Sequence, residues 1–205
     1  MRLNLNLIED KNNVFFISDF HLFHQNVIRF DNRPFTNLDE MHEAIIKGWN
    51  EVVEANDVVI YLGDLSFAKA GQMGEVKSIL NRLNGTIHFV LGNHDNFQEI
   101  KKMPRFSSVN DYLEVRITHF SEDLNKIETL FCCMHYPIYS WNKAHHGTFM
   151  VHGHSHGNLH HGEDASFYVN RKVIDVGCML LDYTPISYKE IMEKLKNVTL
   201  TKINK

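Results

Sequence analysis

Five short apolar runs in this chain each end abruptly in residues that hydrogen-bond or bind metal, and this repetition limits the available folds more than any other feature. "VFFISDFHLFH" runs into Asp19 and His21, "DVVIYLGDLS" into Gly63 and Asp64, and "IHFVLGNHDN" into Gly92, Asn93, His94 and Asp95. "LFCCMHYP" runs into His135, and "TFMVHGHSH" into His152, His154 and His156. Continuous apolar runs, unlike alternating ones, mark strands buried on both faces. Ligands in such layered folds collect in loops beyond the strand ends.

Helical stretches separate several of these strands. From about Asn37 to Ala55, Leu38, Met41, Ile45, Trp49 and Val52 recur at three or four residues and form one apolar stripe, with Asn37 and Glu40 at capping-box spacing. "GEVKSILNRLNG" repeats the pattern through Val76, Ile79, Leu80 and Leu83, with Gly85 expected as its C-cap. Ser187 and Glu190 open a third helix carrying Ile191 and Leu195. Further strands are expected at "LEVRI", "KVIDVG" and "VTLTKI". The later half is therefore richer in strand than a simple alternating α/β chain, which favours two packed sheets with helices outside.

A chain of 205 residues, 43% hydrophobic and 22% charged, supports one sizeable core, so residues 1–205 are expected to form one domain. No apolar run approaches the roughly 18 residues of a membrane span. The start, "MRLNLNLIEDKN", lacks the apolar centre of a secretory signal, so the expected compartment is the cytoplasm and no membrane partner is expected. Three cysteines, two of them adjacent at Cys132 and Cys133, make no disulfide framework, and neighbours on a strand point to opposite faces. They read as reduced, buried thiols. A formal charge of −4 provides no general field for a long polyanion, so any attraction for phosphate must be local.

Asp19, His21, Asp64, Asn93, His135 and two of the alternating histidines make a mixed oxygen and nitrogen donor set from five strand ends. Without thiolates, the set suits Mn, Fe, Zn or Ni better than a structural thiolate zinc. One ion would use about half of these donors. Two ions would use all seven if one carboxylate bridges, an arrangement that can activate a hydroxide for in-line displacement. Each motif alone also has a plain reading as a turn, a cap or a surface histidine stretch.

Taken in order, "DFH", "GD", "GNHD", "MH" and "GHSH" resemble the five-block signature of the calcineurin-like metallophosphoesterases, over residues 19 to 156. "SDFHLFHQNVIRFDNRPF", "MHEAIIKGWNEVV", "YLGDLS" and "VGCMLLDYTPIS" further resemble small stand-alone members from bacteria and phages. The resemblance implies a four-layer αββα sandwich of two mixed sheets and a dinuclear centre, with Mn the first expectation and Fe, Zn or Ni the alternatives. It implies that Asp19 and His21 bind the first ion, that Asp64 bridges, and that Asn93 and His135 bind the second. His154 and His156 match the Gly-His-x-His block and would bind the second and first ions, respectively. His152 falls one step early and is expected in strand packing, whereas His160 and His161 are expected on an exposed loop.

The same resemblance implies that His94 acts on phosphate, stabilising charge or donating a proton. Asp95 either orients the His94 ring or stabilises a turn. His24, Asn26 and Arg33 are expected near the mouth as substrate contacts, Arg33 as a planar clamp or else in a surface ion pair. Tyr136, Tyr139 and Trp141 could stack on a base or simply pack. Two divalent ions, two carboxylates and a hydroxide leave about +1 at such a site, enough to draw a phosphoester to an acidic chain. The expected activity is hydrolysis of a small or nucleotide-like phosphomonoester or phosphodiester, with long nucleic acid disfavoured and the oligomeric state open. The alternatives are a non-catalytic binding module that keeps the fold and a metal-buffering protein.

Overall fold

In the computed structural model, which describes residues 1–8, 11–121 and 123–198, each of the five apolar runs forms a strand that stops where its polar residues begin. The strands in chain order are β1 (Arg2–Asn6), β2 (Val14–Ile17), β3 (Val58–Tyr61), β4 (Thr86–Val90), β5 (Phe106–Asn110), β6 (Tyr112–Phe120), β7 (Lys126–Met134), β8 (Phe149–His152), β9 (Val173–Asp175) and β10 (Ile186–Ser187). One sheet has the order β1-β6-β7-β8-β9 and the other β10-β2-β3-β4-β5. Both are mixed: β6 and β7 pair antiparallel in the first, β10 and β2 in the second, and the remaining pairs are parallel.

Parallel neighbours need crossovers, and helices supply those of the second sheet. α1 (Gln25–Phe30) and α2 (Leu38–Val52) lie between β2 and β3, and α3 (Met73–Asn81) lies between β3 and β4. Asn37 caps α2 by accepting from the Glu40 N–H, while the Glu40 carboxylate accepts from Thr36, not from Asn37. The apolar stripe of α2 and α3, through Met41, Ile45, Trp49, Val76 and Leu80, packs on Phe15, Ile17, Val59 and Phe89 on the outer face of the second sheet. Between the sheets, Phe16, Ile60 and Leu62 meet Val115, Phe131 and Val151. The Phe16 and Phe131 rings lie 5.1 Å apart, centre to centre. Removing a phenylalanine from such a core costs about 3–5 kcal/mol.

Cys132 and Cys133 point to opposite faces of β7, Cys133 between the sheets and Cys132 outward beneath Trp141 and Met150, as strand geometry requires. α4 (Phe97–Ile100) is a single turn, and α5 (Tyr188–Leu195) opens on the capping box between Ser187 and Glu190. Gly85 is not a C-cap: α3 ends at Asn81, and Gly85, with φ of 78°, turns the chain into β4. "LEVRI" lies within β6 and "KVIDVG" spans β9, whereas most of "VTLTKI" lies outside the described residues. Among the described residues no helix is long and apolar enough to cross a membrane.

Candidate metal centre

All seven donor residues follow the C-terminal ends of β2, β3, β4, β7 and β8, so both sheets contribute to one edge. The chain turns sharply there. Asp19, His21, Asp64, His154 and His156 all have positive φ, between 47° and 66°. A non-glycine residue in this region costs about 1–3 kcal/mol and persists only where the surroundings over-determine it. Two glycines make the approach possible. A Cβ on Gly92 would lie 2.2 Å from Asp64 Oδ1, and one on Gly153 would lie 2.4 Å from Asp19 Oδ2. The carboxylates therefore occupy space that any other residue would fill.

The donors form two clusters: Asp19, His21 and His156 in one, and Asp64, His135 and His154 in the other, each with ligand atoms within 4.8 Å of one another. In the first, His21 Nε2 and His156 Nε2 face each other at 3.0 Å, and Asp19 Oδ1 lies 3.6 Å from His156 Nε2. Asn93 joins the second, its Oδ1 3.0 Å from His135 Nε2 and 2.9 Å from His154 Nδ1. Asp64 stands between them, with Oδ2 3.5 Å from His135 Nε2 and 3.7 Å from His21 Nε2.

This electrostatic arrangement is made for cations. Burial holds His21 down at about 4 despite Asp19 and Asp64, so its imidazole is neutral. For His156, burial opposes protonation, but hydrogen bonds to Asp19 and Asp31 outweigh it and lift the ring to about 10. Two imidazole nitrogens thus face each other beside the Asp19 carboxylate. Burial also works against ionisation of Asp64, yet His135 and the His94 N–H hold it at about 2. His21 Nδ1 is buried without a hydrogen-bond partner. Two carboxylates, four imidazoles and an amide oxygen, converging without thiolate, fit divalent transition ions.

The model of the calcineurin-like phosphoesterase family matches residues 13–177. The chain belongs to the calcineurin-like phosphoesterase family. An uncharacterized protein, MJ1445, of Methanocaldococcus jannaschii is 32% identical over 183 residues, covering 89% of this chain and 91% of that protein. The gene 66 protein of Mycobacterium phage D29 is 29% identical over 164 residues, covering 72% and 80% of the two chains. Among solved structures, a protein of unknown function, AQ665, from Aquifex aeolicus superposes with a TM-score of 0.64 at 23% identity, covering 89% of this chain and 99% of its own. That likeness supports the two-sheet fold.

The structure places the other expected site residues unevenly. His94 and His24 line a cavity of about 210 Å³ that also presents His21, Phe67, His154 and His156. The His94 side chain is 44% exposed, its Nε2 is 4.0 Å from Asp64 Oδ2, and its ring packs 4.4 Å from that of Phe67. His24 also stacks on Phe67, at 4.1 Å. Asn26 is exposed on α1 and does not line this cavity. A larger cleft of about 570 Å³, bordered by Asn13, Val52, Asp57 and Tyr188, lies at the opposite end of the sheets and holds none of the donor set.

Two expectations need correction. Arg33 is neither a substrate clamp nor a surface ion pair, because its guanidinium is fully buried and donates to the Asp19 and Phe20 carbonyls and to Asp31. Asp95 does not touch the His94 ring. Its carboxylate accepts from the N–H groups of Asp64, Leu65 and Gly92, and it is the turn-stabilising alternative that holds. Of the remaining histidines, His152 is fully buried with Nε2 3.0 Å from the Tyr168 hydroxyl, and His160 and His161 are exposed. Tyr136 packs on His154 at 4.7 Å, Tyr139 is largely exposed, and Trp141 is buried, donating to Thr148.

Residues outside the motifs complete the centre. Asp31 accepts from His156 Nδ1 at 2.8 Å, and His135 Nδ1 donates to the Leu62 carbonyl at 2.7 Å. Asp175 accepts from Ser155 Oγ and from the N–H groups of Gly157 and Gly177, which fixes the loop carrying His154 and His156. Phe67 makes the shared wall of His24 and His94. The sequence signals for Asp175 and Asp31 are the polar end of "KVIDVG" and the "FDNRPF" stretch, but neither has ligand spacing of its own.

Proposed function

We propose that this chain is a dinuclear metal-dependent phosphohydrolase acting on a small or nucleotide-like phosphoester. The observation that carries the reading is the convergence of two carboxylate and imidazole clusters on Asp64, beside the partly exposed His94. Asp19, His21 and His156 would hold one divalent ion, and Asn93, His135 and His154 the other, with Asp64 reaching both. The bound ions, Mn foremost, supply Lewis-acid charge and make water a nucleophile at neutral pH.

The chain's own residues do the rest. The His94 N–H donates to Asp64 Oδ1 at 2.9 Å, which ties the backbone at His94 to the bridging position. Phe67 packs against the His94 ring, whose Nε2 lies 4.0 Å from Asp64 Oδ2 at the edge of the cavity. From there it stabilises negative charge on a phosphoryl oxygen or gives a proton to the leaving oxygen as the ester bond breaks. Val27, Phe30 and Phe67 give the cavity an apolar wall that keeps water from one side of a bound ester.

The test is a screen of the demetallated and Mn-reloaded protein against phosphomonoesters and phosphodiesters, cyclic nucleotides included, with metal counted by elemental analysis. Two ions per chain with hydrolysis of one ester class supports the proposal. Two ions without hydrolysis of any ester would return the chain to a binding module, and a single ion with full activity would remove the dinuclear mechanism.

A further inference from the structure

Asp31 and Arg33, between α1 and α2, have no part in the chemistry proposed above, yet they form a buried polar arrangement directly beneath the site. Arg33 follows α1 in sequence and folds back beneath the first cluster. Its Nη2 donates to the Asp19 carbonyl at 3.0 Å and to Asp31 Oδ2 at 2.8 Å, its Nη1 to the Phe20 carbonyl at 2.8 Å, and its Nε to Asp31 Oδ2 at 3.0 Å. Asp31 spends its other oxygen on His156 Nδ1, at 2.8 Å. One guanidinium therefore grips both ends of the cluster: the backbone of Asp19 directly and the ring of His156 through Asp31.

A buried ion pair is a poor source of net stability, since desolvation offsets most of the attraction. Its geometric effect is different in kind. Asp31 sets which His156 nitrogen carries the proton and turns Nε2 toward His21 and Asp19, and the fork of Arg33 fixes Asp31 in two directions. The Asp19 backbone, held at φ of 60°, also accepts from Cys178 Sγ at its carbonyl, which leaves it little freedom to relax. In the second cluster the support is of another kind: His135 Nδ1 donates to the Leu62 carbonyl, and the Asp95 carboxylate holds the backbone of Asp64 without touching either ring. His154 is exposed, and its Nδ1 meets the amide oxygen of Asn93 where His156 Nδ1 meets a carboxylate.

We propose that Asp31 and Arg33 are positioning residues that preorganise the first cluster for its ion, an inference that rests on the metal-centre reading above. Neither touches the phosphoester. Carboxylates that orient a metal-binding histidine are worth about 10–100-fold in metal affinity.

The experiment is a Mn²⁺ titration, followed by calorimetry and electron paramagnetic resonance, in two backgrounds that isolate the clusters. In His154→Ala the ion that remains belongs to the first cluster, and there Asp31→Asn should weaken binding by about 10–100-fold. In His156→Ala the remaining ion belongs to the second cluster, and Asp31→Asn should leave it unchanged. Arg33→Lys, which keeps the charge but loses the fork, should weaken the first-cluster ion alone, and Asp31→Glu should recover part of the Asp31→Asn loss. Equal weakening in both backgrounds, or none in either, overturns the proposal. Wild-type protein that binds no Mn²⁺ at all overturns the metal-centre reading itself, a result separate from two bound ions that ignore Asp31→Asn.

Discussion

The two ligand clusters share one carboxylate and two imidazoles, to which the second adds the Asn93 amide oxygen, but they are built differently. The first is buried and backed by charge: Asp19 and His21 are shielded from solvent, and His156 leans on Asp31 and Arg33. The second is backed by backbone and open at one side, with His135 held by the Leu62 carbonyl and His154 exposed against Tyr136. Similar donor sets therefore need not make equal sites. Orientation of the rings and access to solvent distinguish them, and both come from residues that never touch an ion.

Asp64 is where the two clusters cease to be separate, so its loss should produce the largest effect. Asp64→Asn keeps the shape but removes the charge that faces both His21 and His135. Elemental analysis after reloading should fall from two ions per chain toward none, and ester hydrolysis should disappear with it. Retention of one tightly held ion would show that Asp64 serves one cluster only.

Single histidines should then separate the clusters. His156→Ala should empty the first and His154→Ala the second, each leaving one ion by elemental analysis and costing most of the turnover. The sharper comparison is the residual ion. That left in His154→Ala should withstand dialysis against a chelator longer than the one left in His156→Ala, because its cluster is buried and preoriented. Equal release rates would break the contrast between a backed and an open site.

Much of this centre is legible in the amino-acid sequence, for a physical reason. A strand buried on both faces must be apolar and must end where polar residues begin, so the donors stand in contiguous motifs at the ends of visible runs. The strands and helices follow from the same periodicities, whereas the two-sheet sandwich is only favoured by them and is implied by the family resemblance. What escapes a linear reading is set by tertiary pairing. Arg33 beside Pro34 resembles an exposed loop cation until the chain is seen to fold back under Asp19. Asp31 and Asp175 have no motif because each serves a distant residue, a ring 125 positions away for Asp31 and a hydroxyl 20 positions away for Asp175. Asp95 carries two sequence readings because adjacency to His94 says nothing about direction, and three N–H groups decide between them.

His94 tests whether the space between the clusters is a reaction site or merely a binding one. Its ring ligates neither cluster, so His94→Ala should retain both ions and lose turnover by about 10² to 10⁴, the range for a positioned acid-base group. If it gives a proton to the leaving oxygen, the loss should shrink for a nitrophenyl ester, whose leaving group needs little protonation. If it stabilises the phosphoryl oxygens, good and poor leaving groups should suffer alike. Unchanged rates on both, with both ions in place, would remove His94 from the mechanism.

The smallest expected effect on the metals comes from the histidine that sits nearest the donors in sequence without joining them. His152 is fully buried at the end of β8; its Nε2 is 3.0 Å from the Tyr168 hydroxyl and its Nδ1 is 2.8 Å from the Gly153 carbonyl. Both nitrogens are thus engaged away from the clusters. His152→Ala removes a packed ring and strands the Tyr168 hydroxyl, and a buried polar group left unpaired costs about 1–3 kcal/mol. Thermal unfolding of the metal-loaded protein should move down accordingly while elemental analysis still counts two ions. His160→Ala, which alters an exposed ring resting on the other side of Tyr168, should change neither. Loss of an ion on removing His152 would mean that the register of the histidine block is displaced by one step, and that the first cluster reaches back along β8 and not forward into the loop held by Asp175.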